Sequence, residues 1–360
     1  MSCHLAGVFV SLETGVKWRG PELKRLRTVR TPFPSRIPSM KGKMQLRTGD
    51  RVEVRSAVEI LKTLDQDGTL EGLPFMPEML EHCGKRFKVL RRAEKTCVEL
   101  PGGSYAIREF INNDVVMLEG LRCPGTDHDG CQRMCLLFWK TAWLNCGDQV
   151  LAHSVASEAQ ELAALKGKLK TKVSADRYFC QSSQLSVATQ TRRLRPMEIL
   201  AKSWHDVRSG AAGTGEMLRL ILVPLYRKIR DAVFGRPRLL GNLKRTPAGD
   251  LHLKPGELVE IRGLEEMRHT LDTRGRNRGL VCDIELKKFC GRRYRVLSRL
   301  DRMISEATGE MRQVEGTVIL DGNTCMCARV LGGCPRLEFC YWREVWLRRV
   351  GSCGAEAAQE

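Results

Sequence analysis

The sequence predicts an α+β protein: two similar small β-rich modules, of the SH3-like barrel kind, joined by an α-helical bridge. Three observations carry that expectation. A stretch near residues 49–144 recurs near 256–347, short runs within each copy alternate charged and apolar residues, and much of the stretch between the copies is rich in helix formers.

The duplication fixes the frame for everything else. Gly49-Asp50-Arg51-Val52-Glu53-Val54-Arg55 matches Gly256-Glu257-Leu258-Val259-Glu260-Ile261-Arg262. Without a gap, Thr63-Leu64-Asp65 then falls on Thr270-Leu271-Asp272, Glu78 on Glu285 and Cys83-Gly84 on Cys290-Gly291. Eighteen of the forty-four positions from 49 to 92 are identical, against roughly one in sixteen for unrelated stretches. The ends agree too: Phe138-Trp139-Lys140 with Trp143-Leu144 matches Tyr341-Trp342-Arg343 with Trp346-Leu347.

Within a copy, Arg51 to Arg55 alternates charge with valine after a glycine, the pattern of a half-buried strand. Ala57 to Leu64 reads as a short helix with Ser56 as its N-cap and Glu59 at the reciprocal capping-box position. Gln66-Asp67-Gly68 is a turn, and Phe87 to Arg91 and Asp114 to Glu119 alternate again as strands. Several short strands at regular spacing suggest a small barrel. Trp139 and Trp143, four apart like Trp342 and Trp346, are expected in its core rather than as base-stacking platforms. In the bridge, 148–255, helices are expected over Ala156 to Lys172, Met197 to Val207 and Met217 to Phe234, followed by a loop from Arg236 to Leu253.

The modules are placed at 46–147 and 256–350, with a disordered tail over 351–360. Residues 1–45 are basic, carry Pro21, Pro32, Pro34 and Pro38, and read as a disordered arm. Met40 or Met44 offers an alternative start that would leave residues 1–39 outside the natural protein.

Charge and cysteine content narrow the function. Sixty Lys and Arg stand against 42 Asp and Glu, a net +18, a field that attracts polyanions such as nucleic acid, anionic lipid or acidic polysaccharide. No apolar run is long enough to span a bilayer, and no secretory signal is visible, so a cytoplasmic chain with reduced thiols is expected. GxGxxG, P-loop, GxSxG and HExxH patterns are absent, which removes the usual support for nucleotide-dependent and common hydrolase mechanisms.

Fifteen cysteines in a reducing setting read as metal ligands sooner than as disulfides. Cys123, His128, Cys131 and Cys135 fall within thirteen residues, in a loop that Pro-Gly and Asp-Gly turns can fold back on itself. Tetrahedral zinc takes four such donors, and four cysteines would equally hold an iron–sulfur cluster. Cys97, Cys180 or His128 would close the fourth position, with Cys97 preferred. In the second copy Cys325 and Cys334 match Cys123 and Cys131, but Glu338 stands for Cys135 and Leu300 or a neighbour for Cys97, so the full site is expected in the first module alone. Cys83 and Cys290, common to both copies and followed by glycine, read as buried thiols, and Phe289 in place of His82 speaks against a Cys–His nucleophile. His205-Asp206 has no Ser or Cys partner nearby in sequence and reads as no dyad.

The strings Gly-Leu-Pro-Phe-Met-Pro-Glu-Met at 72–79, Gly-Cys-Gln at 130–132 and Tyr-Trp-Arg-Glu-Val-Trp-Leu at 341–347 resemble a family of bacterial two-module proteins over roughly 45–350. The resemblance implies a cytosolic bacterial protein and carries no activity. The expected function is a metal-binding tandem-barrel binding or scaffold protein, whose basic surface engages nucleic acid, another polyanion or a protein partner. The rival is a metal- or cluster-dependent enzyme or redox protein working through Cys123, Cys131 and Cys135.

Overall fold

Strands form where the alternation is cleanest. In Arg51–Val54, Val52 and Val54 are buried while Glu53 accepts from the Arg86 guanidinium on the neighbouring strand. The structure, a computed structural model, describes residues 46–100, 104–146, 165–191, 214–235, 237–325 and 336–350. The basic arm, the tail and the helix expected over Met197 to Val207, with His205, lie outside those residues.

The protein is mostly β. In the first module five antiparallel strands lie in the order Leu136–Lys140, Val115–Arg122, Arg86–Arg92, Arg51–Val54, Leu144–Cys146. The second module repeats the order with Phe339–Arg343, Thr317–Thr324, Arg293–Arg299, Leu258–Ile261, Leu347–Arg349. Even the irregularities recur: register shifts between Val89 and Arg91 and again between Val296 and Ser298. An extra residue there bends the strand and raises its twist. Gly120 and Gly322 each take a positive φ, of 76° and 68°, at the same place in the long strand, a conformation that costs a glycine nothing.

Local chemistry is partly shared. The Ser56 hydroxyl accepts from the Glu59 N–H, and the Glu59 carboxylate accepts from the Ser56 N–H, closing a capping box on the helix Ala57–Leu61. In the second copy Gly263 has no hydroxyl, yet Glu266 still accepts its N–H at 2.8 Å. All four module-closing tryptophans are fully buried. Trp143 donates to the Thr63 hydroxyl at 3.1 Å and Trp346 to the Thr270 hydroxyl at 2.9 Å, so these two indoles bury their rings and keep a hydrogen bond, while Nε1 of Trp139 and of Trp342 is buried without one. Phe75 sets an edge against both Trp139 and Trp143. These rings are core, as expected.

Three features differ from the sequence reading. A hairpin, Thr96–Leu100 with Ser104–Phe110, extends from the first module, and a shorter one, Arg302–Ile304 with Met311–Gln313, from the second. Of the helix expected over Ala156 to Lys172, residues 156–164 lie outside the described residues, 165–168 are helical, and Lys172–Ser174 is instead a strand pairing with Arg177–Tyr178. Among its described residues the middle segment is thus woven between the hairpins as much as it is helical. Tyr178 N–H donates to the Gly309 carbonyl at 2.8 Å, Thr189–Gln190 pairs with Phe110 and Glu109, and the long helix is confined to Thr214–Phe234. Finally, Leu300 corresponds to Ala93, since their N–H groups donate to the equivalent carbonyls of Thr317 and Val115, and Leu300 does not stand in for Cys97.

The modules meet through buried charge. Arg133, Arg336 and Glu306 are each at most 7% exposed. Arg133 donates to Glu306 at 3.1 Å and to Glu338 at 2.9 Å, and Arg336 donates to both of the same carboxylates. The Glu99 N–H and the Ser182 hydroxyl donate to Glu306, while the Cys97 carbonyl accepts from Arg336 at 2.7 Å. Beside the quartet, Ile304 of the second module is buried in the first module's core. Stripping one carboxylate from such a set leaves buried cations uncompensated, at about 3–5 kcal/mol. We expect Glu306→Ala to lower stability by that amount in denaturant melts. Glu315→Ala, which cuts an exposed pair with Arg278, should cost at most about 0.5 kcal/mol.

Candidate metal centre

The strand Val115–Arg122 runs into a loop that returns at Leu136–Lys140, and sequence dictates how tightly it turns. Gly125 has a φ of 73°, and a Cβ there would lie 2.0 Å from the Cys131 carbonyl oxygen. The Gly125 carbonyl accepts from the N–H groups of His128 and Gly130, and the Cys123 N–H donates to the Cys135 carbonyl at 2.8 Å. Only glycine permits this closure. It brings His128 inward, 1% exposed, and holds Cys123 at the end of its strand.

Opposite stands Glu78, 4% exposed, on the 3-10 helix Pro77–His82. Its Oε1 lies 2.5 Å from His128 Nδ1 and 3.9 Å from Cys123 Sγ, and these three ligand atoms all fall within 4.8 Å of one another. The Glu78 Oε2 is buried without a hydrogen-bond partner, an acceptor aimed at nothing. On the far side of the imidazole, Nε2 lies 3.1 Å from the Phe179 carbonyl oxygen. A ring nitrogen tied to a backbone carbonyl, with the other facing a donor cluster, is how metal-ligating histidines are oriented.

Cys131, Cys135 and Cys180 line the same cavity as Cys123 and His128, yet among the described residues none of them joins the Glu78–Cys123–His128 trio within 4.8 Å. The Cys123, Cys131 and Cys135 sulfurs, expected to converge, do not group within 4.8 Å; the loop turns His128 and Cys123 toward Glu78 instead. Cys131 is drawn instead toward the second module, where its Sγ accepts from the Ile304 N–H at 3.4 Å. Cys180 caps its own turn, accepting from the Ser183 N–H. Cys97 does not line the cavity: it sits on the outlying hairpin, opposite Ile107. Glu78 was missed in the sequence, although it is one of the eighteen positions identical in both copies.

The electrostatics suit a cation. Burial, then the charge of Glu78, pushes the Cys123 thiol far up, and burial lifts Cys180 and takes Cys135 up to about 12. Thiols so protonated are poor nucleophiles and poor redox centres unless a positive charge stabilises the thiolate. Burial would depress His128, but its hydrogen bond to Glu78, the carboxylate charge and the Phe179 carbonyl together raise it.

In the second module the retained residues serve other partners. Glu285, the counterpart of Glu78, accepts from Arg227 of the long helix at 2.7 Å. Glu338, whose carbonyl accepts from the Cys325 N–H as that of Cys135 does from Cys123, belongs to the inter-module quartet. Cys327 and Cys334 lie outside the described residues. Cys83 and Cys290 are partly buried thiols, with Cys83 pushed up to about 11 by burial, and His82 packs edge-on against Phe87 and Trp139.

Compared with protein-family models, with curated proteins and with solved structures, the chain finds no match. The chemistry of this centre is therefore read from its geometry alone. Because a Cβ at residue 125 meets backbone, we expect Gly125→Ala to cost more than about 2 kcal/mol and broaden the loop's amide resonances. Gly120→Ala, with open space around it, should cost about 1 kcal/mol, set by its positive φ alone.

Proposed function

We propose that the first module binds one zinc ion through Glu78, Cys123 and His128, and that the protein is a binding or scaffold protein whose metal fastens a loop at the junction of its modules. The observation that carries this reading is the buried O, S and N donor trio with an unpartnered carboxylate oxygen. Zinc accepts such mixed sets at about 2.0–2.3 Å, whereas a cluster needs thiolates or, in part, histidines. Insertion of the ion would part the Glu78–His128 hydrogen bond and displace the proton on Nδ1, leaving Nε2–H donated to Phe179. Cys180, Cys131 or Cys135, all on the cavity wall, supplies the fourth donor. With four protein ligands the site is structural. An open fourth position would instead serve the rival reading, an enzyme that activates water.

The same proposal includes the finer fold reading. Five antiparallel strands, with the last reaching back beside the first after a short 3-10 turn at Thr141–Trp143, suit an SH3-like barrel in each module. It also includes a cytoplasmic setting, a likeness to bacterial two-module proteins, and a positive surface that attracts a polyanion. Nucleic acid as that polyanion rests on charge, since the tryptophans that would stack bases are buried.

Metal analysis of the purified full chain tests the site. One equivalent of zinc in colourless protein is expected. Cys123→Ser, His128→Gln and Glu78→Gln should each lower metal content at least about tenfold, as loss of a ligand does. Cys334→Ser should leave it unchanged. Brown protein holding iron and acid-labile sulfide would transfer the site to the cysteines, and wild-type protein without metal would end the proposal. Chelation of the zinc protein should also lower its thermal midpoint, because binding free energy to the folded state is lost.

A further inference from the structure

The long helix Thr214–Phe234 presents the wrong face to solvent for a protein that stands alone. Leu218, Leu222, Leu225, Tyr226, Ile229 and Val233 are each at least half exposed. At 100° per residue these six fall within an arc of about 100°, one continuous stripe. Phe234, at the end of the helix, is 83% exposed. Of thirteen large apolar side chains exposed among the described residues, eight lie between positions 218 and 240. Scattered exposure is ordinary, but concentration in one element marks a contact surface.

The other side of the helix is held. Pro224 is buried, and Arg227 donates to Glu285 of the second module at 2.7 Å. The helix is thus anchored with its apolar stripe outward. Lys228 lies just beyond one edge of the stripe and Arg230 beyond the other, while Asp231 sits on the far side and pairs with Arg230. Across 214–245 there are eight basic residues and two acidic ones.

We infer that this helix docks the protein on an anionic phospholipid surface, lying in the interface with its stripe among the acyl chains. The charge around the stripe selects that occupant. A second copy laid on the same stripe would set Lys228 and Arg230 against basic residues, with no acidic residue among the described side chains bordering the seam to receive them. Lipid phosphates receive both, because long basic side chains reach up to headgroups from the rim of a buried apolar face. No helix among the described residues is long and apolar enough to cross a membrane. An apolar arc with basic borders binds in the plane of the interface instead.

The test uses the full chain and vesicles of phosphatidylcholine, with or without phosphatidylglycerol. Sedimentation should show at least about tenfold tighter binding to the anionic vesicles, which a few basic residues near the surface supply. The double variant Leu222→Glu, Ile229→Glu should lose at least about tenfold of that binding while keeping the wild-type thermal midpoint, since both sites are exposed. In the variant Tyr226→Trp, the emission of the new indole should move to the blue when anionic vesicles are added. Equal binding to both vesicle types, undiminished binding by the double variant, or an unmoved emission from that indole each overturns the proposal. So does light scattering that shows a dimer broken by the double variant, which would assign the stripe to self-association. None of these readouts involves the metal, so the two proposals stand or fall separately.

Discussion

Two buried guanidinium groups, the buried carboxylate of Glu306 and the half-buried carboxylate of Glu338 fix the relation between the halves of this protein. Arg133 comes from the first module's loop, Glu306 from the second module's hairpin, and Arg336 and Glu338 from the approach to the strand Phe339–Arg343. Burying such charges is costly, and the cost is offset only when every partner is present. Here the set is closed by backbone and hydroxyl groups of Glu99, Cys97 and Ser182 as well. Arg133 lies two residues from Cys131 and five from His128. The clamp between modules and the candidate metal centre therefore share one loop.

The duplication shows how equal scaffolds acquire unequal chemistry. Lys140, wholly buried, is neutralised by Asp114 at 2.8 Å and by Glu71. Its counterpart Arg343 is satisfied by the carbonyls of Asn277, Arg278 and Glu315 and the Thr317 hydroxyl. A compact ammonium wants carboxylates, while a fork of five donors spreads over neutral acceptors. The same logic separates Glu78, which faces a histidine and a thiol, from Glu285, which faces Arg227. Each copy keeps the carboxylate and changes the cation.

Much of the β architecture was legible because its signals are local and appear twice. The alternation at Arg51–Val54, the glutamate half of the Ser56–Glu59 capping box and the tryptophan pairs find the same role in both copies. The hairpin Thr96–Leu100 with Ser104–Phe110 went unread although Pro101-Gly102-Gly103 separates its strands in the sequence. Its partners come from Thr189–Gln190 and from the second module, which no local pattern reveals. The site was half legible. The cluster of Cys123, His128, Cys131 and Cys135 points to the loop of the candidate site, but which donors turn inward is decided by Gly125 and by distant Glu78. Identity at position 78 in both copies was a signal, and it was masked because Glu285 serves a different partner.

Gln181 carries a consequence for how the chain behaves in company. Its carboxamide oxygen accepts from the Phe138 N–H and its nitrogen donates to the Phe138 carbonyl, both at 2.8 Å, with a further bond to the Pro74 carbonyl at 3.0 Å. A side chain thus imitates one residue of a neighbouring strand, against the outermost strand of the first sheet. Open edges are templates on which further strands add, from another molecule or from a growing aggregate. A single amide terminates that growth. The middle segment that joins the modules is in this respect also a stopper, keeping a five-stranded sheet from becoming a longer one.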